Sequence, residues 1–177
     1  MPSVEELNRY RLILDTGPLL DAVLHRCVVA YRWESVAPEL TMIKNRNDAD
    51  RLWRLLRQHP QVVVFHGTYV EMEYRRRDIE TRTARDRGAR LRASLFWDMA
   101  RLELVKIRAV EEPIRLGELR GEDLDRFGFV DASLLRLAYP SGLRQAAVLA
   151  GDDPLYRACQ ERSIKAYKIG DVLSIEV

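Results

Sequence analysis

Short apolar runs that stop at a turn signal and give way to helical periodicity restrict this chain's fold more than any other feature. Arg11-Leu12-Ile13-Leu14-Asp15 is the first; it ends at Thr16-Gly17-Pro18, after which Leu19, Leu20, Val23, Leu24 and Cys27 recur at helical spacing. A second helix is predicted from about Asn47, with Leu52, Trp53, Leu55 and Leu56 inward and Pro60 as its stop. Gln61 to Phe65 is β-branched and bounded by Pro60 and Gly67, which suits a buried strand. The span from Tyr69 to Arg101 has no Pro and reads as one long or broken helical pair. Leu104 to Ile107 is the third predicted strand, followed by helices over Glu118 to Phe127 and Asp131 to Ala138. The opening pattern then returns: Ala146 to Ala150 as a strand, Gly151-Asp152-Asp153-Pro154 as a turn, a helix over Leu155 to Ser163 and a last strand over Ala166 to Ile169. Strands alternating with helices imply βαβ crossovers, so the expected class is α/β with a mostly parallel sheet of about five strands, covered on both faces.

A length of 177 residues favours one domain over 1–177, with 1–9 as a flexible or helical extension. At 47% hydrophobic and 32% charged the chain lies outside the disordered and low-complexity classes, and it can bury a core without staples. Cys27 and Cys159 therefore need no structural role, and two cysteines fit a reduced, cytoplasmic setting better than a secreted one. Glu5 and Glu6 stand where a signal peptide carries its basic region. No run approaches the roughly 18 apolar residues of a spanning helix, so no membrane partner is expected.

In open parallel sheets the working groups lie where strands turn into helices at their carboxyl ends. Asp15 closes the first strand and Asp152 the fourth. With Pro18 and Pro154 at first helical positions, Gly17 and Asp153 are the natural caps, which leaves Asp15 and Asp152 without a capping role. Asp131 follows Gly128-Phe129-Val130 and is either a cap or a site residue. Glu71 lies just past the second strand, with Glu73 as the alternate if the helix register differs by two. Four acids at one sheet edge repel one another and are costly unless a cation neutralises them. Carboxylate oxygens suit Mg²⁺ or Mn²⁺, whereas zinc calls for His and Cys.

The ordered segments LILDTGPLL (Asp15), TYVEMEY (Glu71), FVDASLLRLA (Asp131) and VLAGDDPLY (Asp152) resemble those of the PIN-domain nucleases. The resemblance runs from Leu12 to Ile169. It implies a three-layer α/β/α fold, Mg²⁺- or Mn²⁺-dependent hydrolysis of phosphodiester bonds, usually in RNA, and often a homodimer. Many members are toxins paired with an antitoxin protein. On that basis Asp15, Asp131 and Asp152 hold the metal, Glu71 completes the ligand set or orients the attacking water, and Asp153 touches a second metal while capping. The chain departs from the pattern twice. Ala150 stands where the family commonly has Thr or Ser two residues before the last Asp, and the segment between the first two acids carries an extra amphipathic stretch from Leu24 to Leu40.

The net charge of +2 hides an uneven distribution, and the 29 basic residues are 25 Arg and 4 Lys. A GC-rich genome explains that ratio by itself, so position must decide whether the arginines meet phosphate. Residues 75–92 hold eight Arg against Asp78, Glu80 and Asp86, a net of +5, and the remainder is −3. Arg75, Arg76 and Arg77 follow Glu71 directly and are the candidate substrate contacts; the alternative is a solvated helix face with ordinary intrahelical pairs. His59 and His66 flank the second strand and are candidates to touch substrate. Trp33, Trp53 and Trp97 read as core. His25 and Cys27 lack a second ligand pair, and no P-loop, G-x-S-x-G or G-x-G-x-x-G is present.

Overall fold

A computed structural model describes residues 3–20, 22–23, 46–82, 101–102, 105–139 and 145–175 of the chain. In order these form α1 (Val4–Leu7), β1 (Arg11–Leu14), a helix α2 over 16–20 and 22–23, α3 (Arg46–Gln58), β2 (Val62–Phe65), α4 (His66–Arg82) and β3 (Val110–Glu112). A 3-10 turn (Leu116–Glu118), α5 (Gly121–Ala138), β4 (Ala146–Ala150), α6 (Asp153–Glu161), β5 (Lys165–Lys168) and α7 (Ile169–Leu173) follow. The described strands make one five-stranded sheet in the order β3-β2-β1-β4-β5, every pair parallel.

Alternation along the strands builds two cores. Leu12, Leu14, Val62, Val64, Ala147 and Leu149 pack with Leu19 of α2 and Leu52 and Leu56 of α3. Ile13, Val63, Phe65, Val148 and Ala150 pack with Leu134 and Leu135 of α5 and Leu155 and Ala158 of α6. Both faces are covered, which is why β1, β2 and β4 read as continuous apolar runs. The architecture is the expected α/β class, a three-layer α/β/α sandwich.

From β1 the chain moves outward to β2 and β3, then returns to the other side of β1 for β4 and β5. Direction reverses between β1 and β4, which places a crevice at their carboxyl ends. The register pairs Leu14 with Leu149, so Asp15 and the Gly151-Asp152 turn leave the sheet at one level.

Several elements depart from expectation. The third strand is Val110–Glu112 and not Leu104–Ile107: residues 105–107 are helical, Ile107 is buried in the core, and Leu104 lies outside the described residues. A polar strand of three residues pairs on one side only, with β2, and carries no apolar signature. The two helices expected over Glu118 to Phe127 and Asp131 to Ala138 form the single run α5, interrupted by Gly128. The helix expected from Leu155 begins two residues earlier, at Asp153, and the last strand is Lys165–Lys168. Of the first nine residues, the described ones take the helical alternative over Val4–Leu7, with Ser3 capping α1 and Leu7 buried in the core. Trp53 is core, as expected. Cys159 is buried, and burial pushes its thiol up to about 12, the behaviour of an apolar core group. Trp33, Trp97, His25, Cys27 and the stretch from Leu24 to Leu40 lie outside the described residues.

His59 is structural and lies at the amino end of β2, away from the carboxyl edge. Its Nδ1 accepts from the Gln61 N–H at 3.1 Å, so Nε2–H donates to the Leu7 carbonyl at 3.2 Å. Burial holds its pKa below the usual value, and the neutral ring ties α1 to β2.

Gly128 sets where Asp131 falls. Its φ of 78° and ψ of 177° lie in a region open essentially to glycine, and the helix restarts after it with Asp131 in the new first turn. A Cβ at Gly128 would meet nothing within 4 Å, so substitution there tests backbone conformation alone. Gly128→Ala is expected to destabilise the fold by about 1–3 kcal/mol in denaturant titrations; unchanged stability would contradict this reading of the kink.

Candidate functional site

Asp15 is the anchor of the β1–β4 crevice. It follows β1 directly and is 8% exposed. Its Oδ1 accepts from the Thr16 N–H at 2.6 Å, and its Oδ2 accepts from the Gly151 N–H at 2.8 Å. The second bond crosses from the β1 turn to the β4 turn. Gly151 has to be glycine there: a Cβ would stand 2.8 Å from Asp15 Oδ2 and 2.9 Å from Pro18 Cδ.

Asp15 and Asp152 are also helix caps, contrary to the expectation that Gly17 and Asp153 fill those positions. α2 begins at Thr16, and the Asp15 carbonyl accepts from the Leu19 N–H at 3.3 Å. Asp152 is the N-cap of α6, its Oδ1 accepting from the Leu155 N–H at 2.9 Å. The expectation misplaced the prolines. None of the first four helical N–H groups has an intrahelical acceptor, so Pro154 fits at the second position and Pro18 at the third as well as at the first. Capping occupies one oxygen of Asp152, and the residue stays exposed.

Glu71 reaches the same place from α4. Thr16 Oγ1 donates to its Oε2 at 2.9 Å, linking the second-strand helix to the first-strand turn. Glu73 takes a different role, accepting from Arg77 Nε at 2.9 Å one turn along α4, so the register selects Glu71. Asp131 arrives from α5 on the other side of the sheet, half-buried.

The electrostatics tie these four acids together. Burial pushes the Asp15 carboxyl up to about 6 against the lowering pull of the Gly151 and Thr16 N–H groups, and the charges of Asp152 and Glu71 add to the rise. Burial pushes Asp131 up to about 7, with Asp15, Asp152 and Glu71 as the further causes. Asp153 is not one of those charges. It lies 2.6 Å from Lys168 Nζ, which holds its carboxyl below the usual range.

The donor set is all carboxylate oxygen, the chemistry of a hard divalent cation, and the neighbouring acids add to the rise that burial causes in Asp15 and Asp131. The residues fit such an ion by donor type and by charge. Among the described residues no three His, Cys, Asp or Glu side chains stand in the arrangement of a formed metal site.

The candidate substrate arginines divide. Arg77 is exposed and paired with Glu73, an ordinary i,i+4 pair. Arg75 and Arg76 continue the α4 backbone, but their side chains are outside the description, as are Arg85, Arg87, Arg90 and Arg92. His66 begins α4 at the carboxyl end of β2, and its Nδ1 lies 2.5 Å from Glu111 Oε1. Sequence reasoning missed Thr16, Gly151 and Glu111. A glycine directly after an apolar strand signals close backbone approach and could have marked Gly151; Thr16 and Glu111 give no local signal.

Comparison with protein-family models, curated proteins and solved structures gave no match. Among the described residues no helix is long and apolar enough to cross a membrane.

The raised carboxyls give a pH dependence of definite sign. Folding raises the Asp131 pKa from 3.8 to about 7, so the folded state holds that proton more tightly, and stability falls as pH rises from about 4 to about 7. His59 acts in the opposite direction, so the comparison is made against a variant. In chelator, the advantage of Asp131→Asn over the parent in melting temperature is expected to be small near pH 4 and to grow to several degrees at pH 8. Equal differences at both pH values would contradict the coupling.

Proposed function

We propose that this chain is a metal-dependent endoribonuclease of the PIN-domain type, hydrolysing RNA phosphodiester bonds at the crevice between β1 and β4. The observation that supports the reading is the bonding of Asp15 to both the β1 and β4 turns at the carboxyl edge of a parallel sheet, with Thr16 linking Glu71 to the same turn; the charges of Asp152 and Glu71 reach Asp15 and Asp131 there. The order of those acids along the chain supports it further. Asp15, Asp131 and Asp152 are the residues that would hold Mg²⁺ or Mn²⁺, with Glu71 completing the set or acting as general base toward water.

A cation held by those oxygens would supply a water of lowered pKa and a Lewis acid for the scissile phosphate. The chain's own contribution is positioning. The Thr16 and Gly151 N–H groups fix Asp15, the Leu155 N–H fixes Asp152 at the positive end of α6, and the Thr16 hydroxyl orients Glu71. One divalent cation would offset two of the four carboxylate charges and two cations all four, which would lower the repulsion that RNA phosphate meets there. On this reading the setting is cytoplasmic, and the partners are RNA, a second copy of the chain and, if the protein is a toxin, an antitoxin protein.

A second reading, a PIN-like RNA-binding or assembly module without turnover, is favoured by one residue. Ala150 is buried in the core where the family commonly carries a hydroxyl. Thr16 Oγ1 supplies a hydroxyl to the acids from the other turn, which weakens that argument. The two readings separate in one assay. With Mg²⁺ or Mn²⁺, the parent protein is expected to cleave single-stranded RNA, and Asp15→Asn and Asp131→Asn to lose at least about a hundredfold in rate. RNA binding without cleavage favours the module, and equal cleavage by all three proteins removes the acids from the mechanism.

A further inference from the structure

Beside the acids lies a groove of about 650 Å³ that the reaction just described does not use. It shares Glu71 with the acidic site, and its wall includes Phe129 and Val130, which immediately precede Asp131. The groove begins where the acids end.

Its lining is apolar and open. Tyr74 is 74% exposed, Val70 63% and Phe129 45%, a concentration of apolar surface that marks a binding site more often than chance. Phe129 is braced: its ring sits 5.5 Å from that of Phe65 at 56°, and the α5 kink at Gly128 delivers it there. The floor is closely built, since a Cβ on Gly67 would stand 2.3 Å from Phe65 Cε1. A rigid, exposed aromatic on a fixed floor suits a flat ligand.

The lip is acidic. Glu111 and His66 form a pair at 2.5 Å, and Glu111 is half-exposed. His66 engages Oε1, and the remaining lone pairs of the carboxylate accept hydrogen bonds and donate none, so the lip favours a group rich in N–H. Among the bases, guanine alone presents two adjacent N–H donors on its Watson–Crick edge, a bidentate match to a carboxylate. We propose that this groove seats an unpaired base, guanine above all, beside the phosphodiester at the acids, with Phe129 and Tyr74 as its stacking surfaces and Glu111 as its acceptor. The inference rests on the ribonuclease reading and names the substrate feature which that site selects.

The test separates binding from cleavage. Fluorescence anisotropy of labelled single-stranded hexamers, oligouridine against the same sequence with one central guanosine, is measured with the full chain in Ca²⁺. The guanosine hexamer is expected to bind about tenfold more tightly; Phe129→Ala and the more exposed Tyr74→Ala should each weaken it by about fivefold or more. Glu111→Gln should bring the two hexamers to within about twofold of each other. Equal affinities for the two hexamers in the parent, or no change in either aromatic variant, overturns the proposal. So does loss of self-association in Phe129→Ala with RNA affinity intact, which makes the groove a protein interface. The same hexamers are then incubated with Mn²⁺. A guanosine preference in binding with no cleavage overturns the nuclease reading and keeps the base site, whereas cleavage with no preference does the reverse.

Discussion

The Asp15 carboxylate joins the β1 and β4 turns at the carboxyl edge of the sheet. One oxygen takes the Thr16 N–H of its own turn and the other takes the Gly151 N–H of the β4 turn. Each bond involves a charged acceptor away from water, the class of hydrogen bond that contributes about 1.5–3 kcal/mol. The geometry at Gly151 follows from that bond, since no side chain fits beside Oδ2. Asp152 and Thr16 are set by the same two turns, and Thr16 then reaches Glu71 on α4. A single buried acid thus couples β1, β4 and the helix after β2.

Such an arrangement is costly in charge. Burial raises Asp15 and Asp131, and the neighbouring acids raise them further. At Asp131 a fold selected for stability alone gains from an amide residue, because a buried carboxylate with like-charged neighbours opposes folding above its pKa, whereas at Asp15 the two backbone N–H bonds oppose that cost. The local structure offsets part of the cost with backbone N–H groups and helix N-termini, as at Asp152 on α6. The rest remains as the raised carboxyls of Asp15 and Asp131.

Much of this was legible from the residues. The apolar runs at Arg11–Leu14, Val62–Phe65 and Ala146–Ala150 marked three strands because both faces of a parallel sheet are buried, so β-branched and aliphatic side chains fill every position. Placing Asp15 and Asp152 at one edge followed from the strand–turn–helix pattern alone. What escaped was set by contacts between distant segments. β3 is polar and exists because β2 offers it a ladder, with Val63 opposite Val110. The role of His59 depends on the Leu7 carbonyl fifty-two residues away, and that of Glu111 on His66. The caps were misassigned for a local reason: the first helical turn tolerates Pro at more than one position. The net charge of +2 was uninformative as a sum, and the four acids of the crevice belong to the part of the chain that is −3.

The central claim is that Asp15, Glu71, Asp131 and Asp152 act as one cation-binding unit, and direct binding of Mn²⁺ to the full chain tests it most directly. Free Mn²⁺, followed by electron paramagnetic resonance, should fall on addition of protein. Binding should be tighter at pH 8 than at pH 5.5, because Asp15 and Asp131 with pKa values of about 6 and about 7 must release their protons to serve as ligands. Asp15→Asn and Asp131→Asn should each lose that binding. Absence of Mn²⁺ binding at both pH values, or binding that both variants retain, would contradict the account.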